Sequence, residues 1–184
     1  MDGQEILDAT ELTFFAQQAL QRGDLEKALI MVKSALAQEA APMVSHAIIG
    51  RIYAQMGLFD RAVMHLQYYG DREPDAYHVN SQLGLALFRS GHSDAAIATW
   101  EEKVLSVNAT HPPALYFLAY ALACKHDWAK SQRAIDILLS SAGKDNLFSV
   151  KAKQLRSSIG KVTSSDSTGT PEWPQDLRDD LVFS

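Results

Sequence analysis

The chain has 184 residues, of which 47% are apolar and 21% are charged, as in ordinary soluble globular proteins. Its net charge of −5 argues against nucleic-acid binding, which requires basic surface. Cys124 is the single cysteine, so an intrachain disulfide and a cysteine-based zinc site are both excluded. No apolar run approaches the ~20 residues of a membrane span, and the N-terminus lacks the features of a secretion signal. We therefore expect a cytoplasmic protein without membrane insertion.

Apolar residues recur at spacings of three and four through most of the chain, which predicts amphipathic helices. The pattern is clearest between Met43 and Pro74. It runs through Ile49, Ile52 and Tyr53, breaks at Gly57, and resumes at Ala62, Val63 and Leu66. This stretch predicts two antiparallel helices joined by a tight turn. Such a hairpin needs similar units beside it to bury its apolar faces.

A short motif repeats along the chain. Gly23-Asp24-Leu25-Glu26-Lys27-Ala28 recurs as Gly57-Leu58-Phe59-Asp60-Arg61-Ala62 and again as Gly91-His92-Ser93-Asp94-Ala95-Ala96. Both steps are about 34 residues, and a fixed period of this length predicts stacked helix pairs. A fourth copy, His126-Asp127-Trp128-Ala129-Lys130-Ser131, comes one residue late. We expect the irregular connector Asn108–Pro113 to account for that extra residue.

With these residues in place, the chain resembles the tetratricopeptide-repeat (TPR) family over roughly residues 9 to 145. The second repeat carries the family pattern at Gly50, Tyr53, Ala62, Leu66 and Pro74. The third keeps Gly84, Ala96 and Trp100 but has Leu87 where the family has an aromatic residue, and the fourth has Ser131 in place of the packing alanine. The resemblance implies an all-α, right-handed solenoid of four helix pairs followed by a C-terminal capping helix.

The domain organisation follows from this period and from composition. We expect a polar lead-in at residues 1–8 and a TPR domain at 9–159. Its repeats are about 9–42, 43–76, 77–111 and 112–145, with an end helix at 146–159 that closes the stack. Residues 160–170 are rich in Ser, Thr and Gly and predict a linker. Residues 171–184 form an acidic tail with aromatic residues.

The sequence contains no motif that indicates catalysis or a cofactor. There is no glycine-rich phosphate loop, nucleophile elbow or metalloprotease motif. No two histidines lie four residues apart on one helix, so we expect helix-surface or turn histidines without a metal. Cys124 is expected to be a half-buried side chain and not a reactive thiol. We therefore predict a non-enzymatic protein.

Binding to another protein is the remaining class of function. In TPR proteins the first helix of each repeat lines a concave groove, and the resemblance assigns a partner-binding role to ten residues here: Gln17, Arg51, Gln55, His78, Ser81, Leu85, Phe88, Arg89, Tyr116 and Tyr120. Arginines can hold carboxylates by paired hydrogen bonds. We expect Leu85, Phe88 and the two tyrosines to form an exposed apolar patch. The alternative is that the arginines are solvated and the tyrosines cover repeat packing.

The tail carries a second candidate motif, made of Trp173, Leu177, Leu181 and Phe183 among four acidic residues and one arginine. Its chemistry complements a groove with arginines and tyrosines. One hypothesis is that the tail occupies the groove, within the chain or between protomers, until a partner displaces it. The alternative is a flexible terminus or a short extension packed on the end helix.

The sequence thus predicts an adaptor or assembly scaffold that binds a peptide or helix of a partner protein. Two alternatives remain open, a dedicated chaperone for a secreted or assembling subunit and a structural subunit of a larger complex.

Overall fold

The computed structural model describes residues 7–73 and 75–164. The tail motif Trp173, Leu177, Leu181 and Phe183 lies outside the described residues, as does most of the predicted linker. All elements in these two ranges are helical, which confirms the all-α fold class. None of the described helices is both long enough and apolar enough to cross a membrane. The described chain forms two compact units, residues 7–73 and residues 75–164.

The first unit contains two helix pairs. Its helices are α1 (Ala9–Gln21), α2 (Leu25–Leu36), α3 (Val44–Gln55) and α4 (Phe59–Gly70). Within this unit α1 packs on α2, α3 packs on α4, and α3 also contacts both α1 and α2. The core is built mainly from small and branched apolar residues of these interfaces, such as Ala16, Val32, Ile52 and Leu66.

The second unit contains two further pairs and one closing helix. Its elements are α5 (Tyr77–Arg89), α6 (Ser93–Ala98) with a π-helical continuation (Thr99–Leu105), α7 (Pro112–Cys124), α8 (Trp128–Ser141) and α9 (Leu147–Ser164). Helix α7 contacts α5, α8 and α9. Because α7 is covered on several sides, most of its residues are buried.

The repeated motif forms the turn between the two helices of each pair. Gly23, Gly57 and Gly91 adopt φ angles of 77°, 74° and 89°, where a side chain would be strained. The fourth copy uses His126 at a φ of 60° in the same place. The aspartate of the first motif caps the following helix, since the Asp24 side chain accepts the Lys27 backbone N–H.

Two glycines, each in the first helix of a pair, allow one large side chain of the second helix to approach. A Cβ on Gly50 would lie 2.7 Å from Leu66 Cγ, and a Cβ on Gly84 would lie 2.4 Å from Trp100 Nε1. The Trp100 indole is fully buried and donates a 3.1 Å hydrogen bond to the Ser81 carbonyl oxygen. These two helix pairs therefore depend on their glycines being without a side chain.

The extra residue of the third repeat lies inside a helix, and the expectation that the Asn108–Pro113 connector holds it is wrong. The connector from the π-helical segment to α7 is as long as the one between α4 and α5. The second helix of this repeat, in contrast, runs from Ser93 to Leu105 and is one residue longer than α2 and α4. A π-helical turn closes hydrogen bonds over one more residue than an α-turn, so it can accommodate the insertion.

The end helix is longer than the sequence predicted. Helix α9 continues to Ser164, so residues 160–164 of the predicted linker form its last turn. Buried Ala152, Leu155 and Ile159 recur at helical spacing along its inner side. Gly160 lacks a helix-favouring side chain, but the packing that precedes it is sufficient to extend the helix past it.

Candidate functional site

The predicted binding residues of the first unit lie on α1 and α3. Gln17 is exposed on α1, while Arg51 and Gln55 are half-buried on α3. Burial lowers the pKa of the Arg51 guanidinium. The two helices are joined by a buried hydrogen bond of 2.7 Å between Thr13 Oγ1 and Ser45 Oγ. This bond holds α1 against α3, the two helices that carry Gln17, Arg51 and Gln55.

The predicted binding residues of the second unit lie on α5 and α7, and two of them meet. The rings of Phe88 and Tyr120 make an edge-to-face contact with centroids 5.6 Å apart. Both side chains are half-buried, as is Arg89 beside Phe88 in sequence. His78 is exposed on the first turn of α5. These four residues are the part of the predicted site in the second unit that retains surface for a partner.

The expected exposed patch is smaller than the sequence analysis predicted, because Leu85 and Tyr116 are buried with 5% and 2% of their surfaces exposed. Burial raises the pKa of the Tyr116 hydroxyl. Ser81 is buried as well, and its carbonyl oxygen accepts the Trp100 indole N–H. The alternative interpretation, in which the Tyr116 side chain is part of the packing and not of an exposed surface, is therefore correct for this residue.

Sequence reasoning missed two aromatic residues that pack in this region. Phe117 stacks on Trp100 with centroids 6.2 Å apart, and Phe148 of α9 lies 5.9 Å from Tyr116, ring to ring. The sequence carried no direct signal for these contacts, because Phe148 belongs to the closing helix, outside the four repeats.

Cys124 ends α7 one turn after Tyr120 and is half-buried, as the sequence analysis expected. Burial raises the pKa of its thiol to about 11, an effect that a hydrogen bond with Tyr120 partly opposes. The thiolate is the nucleophilic form of cysteine, so the raised pKa leaves little of the reactive form near neutral pH.

Four histidines come together in two pairs, which the search for histidines on a single helix did not detect. His46 of α3 and His65 of α4 place their Nδ1 atoms 3.0 Å apart. His78 and His111 lie 5.4 Å apart, ring to ring. No group of three or more metal-binding side chains exists among residues 7–73 and 75–164. Two imidazoles fall short of the three or four protein ligands that zinc takes.

His111 has a structural role that corrects the expectation of a surface or turn histidine. It is buried immediately before α7, and its Nδ1 accepts the Ala114 backbone N–H at 3.3 Å. An acceptor nitrogen must be unprotonated, so the cap requires neutral imidazole. Burial, assisted by the nearby His78, lowers the pKa of His111 to about 4.

Acidification is therefore expected to destabilise the protein through His111. Its native pKa of about 4 lies below the ordinary histidine value near 6.5, so the unfolded chain binds more protons between these two pH values. The stability contributed by the cap is complete above pH ~6.5 and falls by about 1–3 kcal/mol as the pH drops towards 4. Urea unfolding of wild type and His111→Asn at pH 7 and pH 4.5 measures this.

The Asn variant keeps a capping oxygen but does not titrate, so its loss of stability on acidification should be smaller. The His46 and His65 imidazoles, whose pKa values are also lowered by burial, supply a remaining pH dependence. Equal acid destabilisation of wild type and His111→Asn would contradict the assignment.

Comparison with solved structures identifies the fold. The chain is similar to YrrB, described as a TPR protein with an unusual peptide-binding site, with a TM-score of 0.71 and 18% identity over 79% of this chain and 74% of that one. It is similar to MamA with a TM-score of 0.72 and 18% identity over 81% of this chain and 84% of that one. The chain has the tetratricopeptide-repeat fold. A TPR protein from Parabacteroides merdae also matches, with a TM-score of 0.69 and 16% identity over 83% of this chain and 60% of its own length.

No protein-family model matches the sequence, and no curated protein matches it. The TPR fold explains the glycine and large-residue pairs of the second and third repeats, because it brings these positions of the two helices into contact. It also places the predicted binding residues on the first helices of their pairs, which are α1, α3, α5 and α7. The fold does not by itself identify a partner.

Proposed function

We propose that this chain is a non-enzymatic protein-interaction adaptor or assembly scaffold, and that it binds a peptide segment of a partner along the first helices of its TPR pairs. The observation that carries the proposal is the Phe88–Tyr120 edge-to-face pair on α5 and α7, whose two aromatic rings are half-buried. Aromatic side chains of this kind anchor peptides at low entropic cost. The peptide-binding site named for YrrB supports the same class of function.

The chemistry of the expected peptide follows from this pair and from an arginine on a first helix of each unit. Arg89 follows Phe88 directly, and Arg51 occupies a first helix of the first unit. A guanidinium binds a carboxylate through two parallel hydrogen bonds. We expect a partner segment that combines acidic residues with large apolar or aromatic side chains.

Substitution of an arginine together with an aromatic residue of the predicted site should remove partner binding. In an affinity capture with the full chain as bait, Arg51→Glu with Tyr120→Ala should lose partners that wild type retains, because it reverses one charge and truncates the aromatic anchor. We expect at least about a tenfold loss of affinity for an isolated partner, which calorimetric titration measures.

A matched control changes residues on the second helices of the pairs. Met64 and Glu102 are both exposed there, so Met64→Ser with Glu102→Lys should retain the same partners. Circular dichroism of all variants verifies that the fold is kept. Equal capture by the two double variants would contradict a binding role for the first helices.

The proposal includes regulation by the acidic tail, whose composition matches the expected partner segment. In the same titration, a chain lacking residues 171–184 should bind the partner more tightly, since a tethered competitor acts at high effective concentration. A synthetic peptide of residues 171–184 should bind the shortened chain and should bind its Arg51→Glu variant more weakly. Unchanged partner affinity after the deletion would exclude autoinhibition.

A further inference from the structure

Two imidazoles of the second helix pair face each other nitrogen to nitrogen. The Nδ1 atoms of His46 on α3 and His65 on α4 lie 3.0 Å apart, although the two residues are separated by 19 positions in the sequence. A neutral imidazole has one ring nitrogen with a free lone pair, which is the form that binds metal ions. Two such nitrogens that converge from different helices can act as a pair of ligands for one ion.

The separation of the two nitrogens matches that of two ligands on one ion. Bonds from a metal to an imidazole nitrogen are about 2.0–2.1 Å long, so two of them place their nitrogens about 2.9 Å apart at a right angle and about 3.3 Å apart at the tetrahedral angle. The observed 3.0 Å lies between these values. An ion can therefore take the place of the hydrogen between the two Nδ1 atoms, with each imidazole carrying its proton on Nε2.

The surroundings of the pair orient the two rings and leave them accessible. The Tyr68 ring lies against His46 with centroids 4.2 Å apart, and the Tyr53 ring stacks on His65 at 5.8 Å. Both imidazoles are half-buried, so an ion can reach them from solvent. Burial lowers the pKa of both histidines, which favours the neutral, metal-binding form near pH 7.

Packing within a helix pair does not explain why imidazoles occupy these two positions. The equivalent positions hold Leu12 and Met31 in the first repeat, and Asn80 and Thr99 in the third. An apolar pair packs there without the cost of removing a polar ring from water. The two facing imidazoles are thus a feature of the second repeat and not of the repeat pattern.

The ligand atoms determine which class of ion suits the pair. Imidazole nitrogen suits late transition metals, whereas Ca²⁺ and Mg²⁺ take oxygen ligands. Within residues 7–73 and 75–164, no third metal-binding side chain joins the pair, so zinc would lack its usual three or four protein ligands. Cu²⁺ binds most strongly among the divalent ions of its series and accepts nitrogen and oxygen ligands together. We propose that His46 and His65 form a two-histidine site for Cu²⁺, with water completing the coordination.

Titration of the full chain, made without a histidine tag, with Cu²⁺ alone tests the proposal. Calorimetry should show binding by wild type, and His46→Asn with His65→Asn should weaken it at least about tenfold, because an amide has no basic nitrogen lone pair. The amides can keep a hydrogen bond between the helices, and circular dichroism verifies the fold. The control is His92→Asn, which changes an exposed histidine of another turn and should bind Cu²⁺ as wild type does. Equal affinities of wild type and the double variant would overturn the proposal.

Electron paramagnetic resonance of the Cu²⁺ complex identifies the ligands directly. With one Cu²⁺ per chain, wild type should show coupling to two imidazole nitrogens, and either single variant to only one. Since the two ligands belong to different helices, Cu²⁺ should also raise the unfolding midpoint of wild type more than that of the double variant. A wild-type spectrum without two imidazole nitrogens would overturn the proposal.

Arg72 provides an independent test through charge. Its guanidinium lies 3.6 Å from the centre of the Tyr68 ring, which in turn lies against His46. Next to burial, the charge of Arg72 lowers the pKa of His46, and the same charge would repel a bound cation. Arg72→Gln should therefore tighten Cu²⁺ binding by about two- to fivefold without adding a strong ligand.

The matched control for this charge test is Lys27→Gln, which removes an exposed cation from α2 and should leave Cu²⁺ affinity unchanged. Weaker binding by Arg72→Gln than by wild type would contradict a site at this pair. None of these measurements involves Arg51 or Tyr120, so the proposed adaptor function and the Cu²⁺ site can fail separately.

Discussion

Trp100→Ala is expected to destabilise the second unit by about 3–5 kcal/mol, the range for removing a large buried aromatic side chain. The indole is fully buried, stacks on Phe117, and donates its N–H to the Ser81 carbonyl oxygen. Truncation leaves a large cavity and removes that hydrogen bond. Chemical denaturation followed by circular dichroism measures the free energy of unfolding.

The chain contains a matched control for this variant. Trp128 begins α8, is only half-buried, and has an edge-to-face ring contact with His126. Trp128→Ala should therefore lower the free energy of unfolding by far less than Trp100→Ala. Equal losses of stability for the two variants would show that the full burial of Trp100 does not cause its expected effect.

Gly84→Ala has the second largest expected effect, a loss of about 1–3 kcal/mol or more from overpacking. The added methyl group would lie 2.4 Å from Trp100 Nε1 and 2.6 Å from Cε2, both atoms of a rigid ring. A methyl group on Gly50 would lie 2.7 Å from Leu66 Cγ, farther than the 2.4 Å of Gly84 and against no rigid ring, so its effect should be smaller. Denaturation midpoints of the two variants give the comparison.

Two further variants decide whether steric conflict is the cause. Gly160→Ala adds a methyl group in open space within α9 and should be neutral or stabilising by up to ~1 kcal/mol. Gly84→Ala combined with Trp100→Leu should lose less than the sum of the single changes, since the second change removes the atoms in conflict. Additive losses would mean that the Gly84 methyl group does not contact the ring.

The sequence predicted the helix pairs well because local signals and the repeat agree. Glycines at a constant interval mark the first three turns, and each has the left-handed conformation that disfavours other residues. The apolar period then places the helices between them. The resemblance to the TPR family named Gly50, Leu66, Gly84 and Trp100 as pattern positions, and the structure shows that they meet in pairs.

The candidate site was predicted less well, since burial depends on neighbours that a repeat position does not specify. The resemblance assigns Leu85 and Tyr116 to groove positions, but both are buried, and Tyr116 packs beside Phe148 of the closing helix. The histidine pairs could not be found from spacing on one helix, because the two members of each pair belong to different segments of the chain. Phe15 follows the apolar period of α1, yet it remains exposed because no described helix covers it.

The π-helical segment at Thr99–Leu105 shows how a repeat longer than its neighbours can keep their packing. One residue added to an α-helix rotates everything after it by about 100°, which would turn a buried stripe towards solvent. In this helix Trp100 and Val104 are buried at the positions that Leu66 and Gly70 hold one repeat earlier, so the longer repeat keeps the same buried side. A repeat that is one residue longer can thus pack like its neighbours, and the repeats of this chain share one architecture without sharing one length.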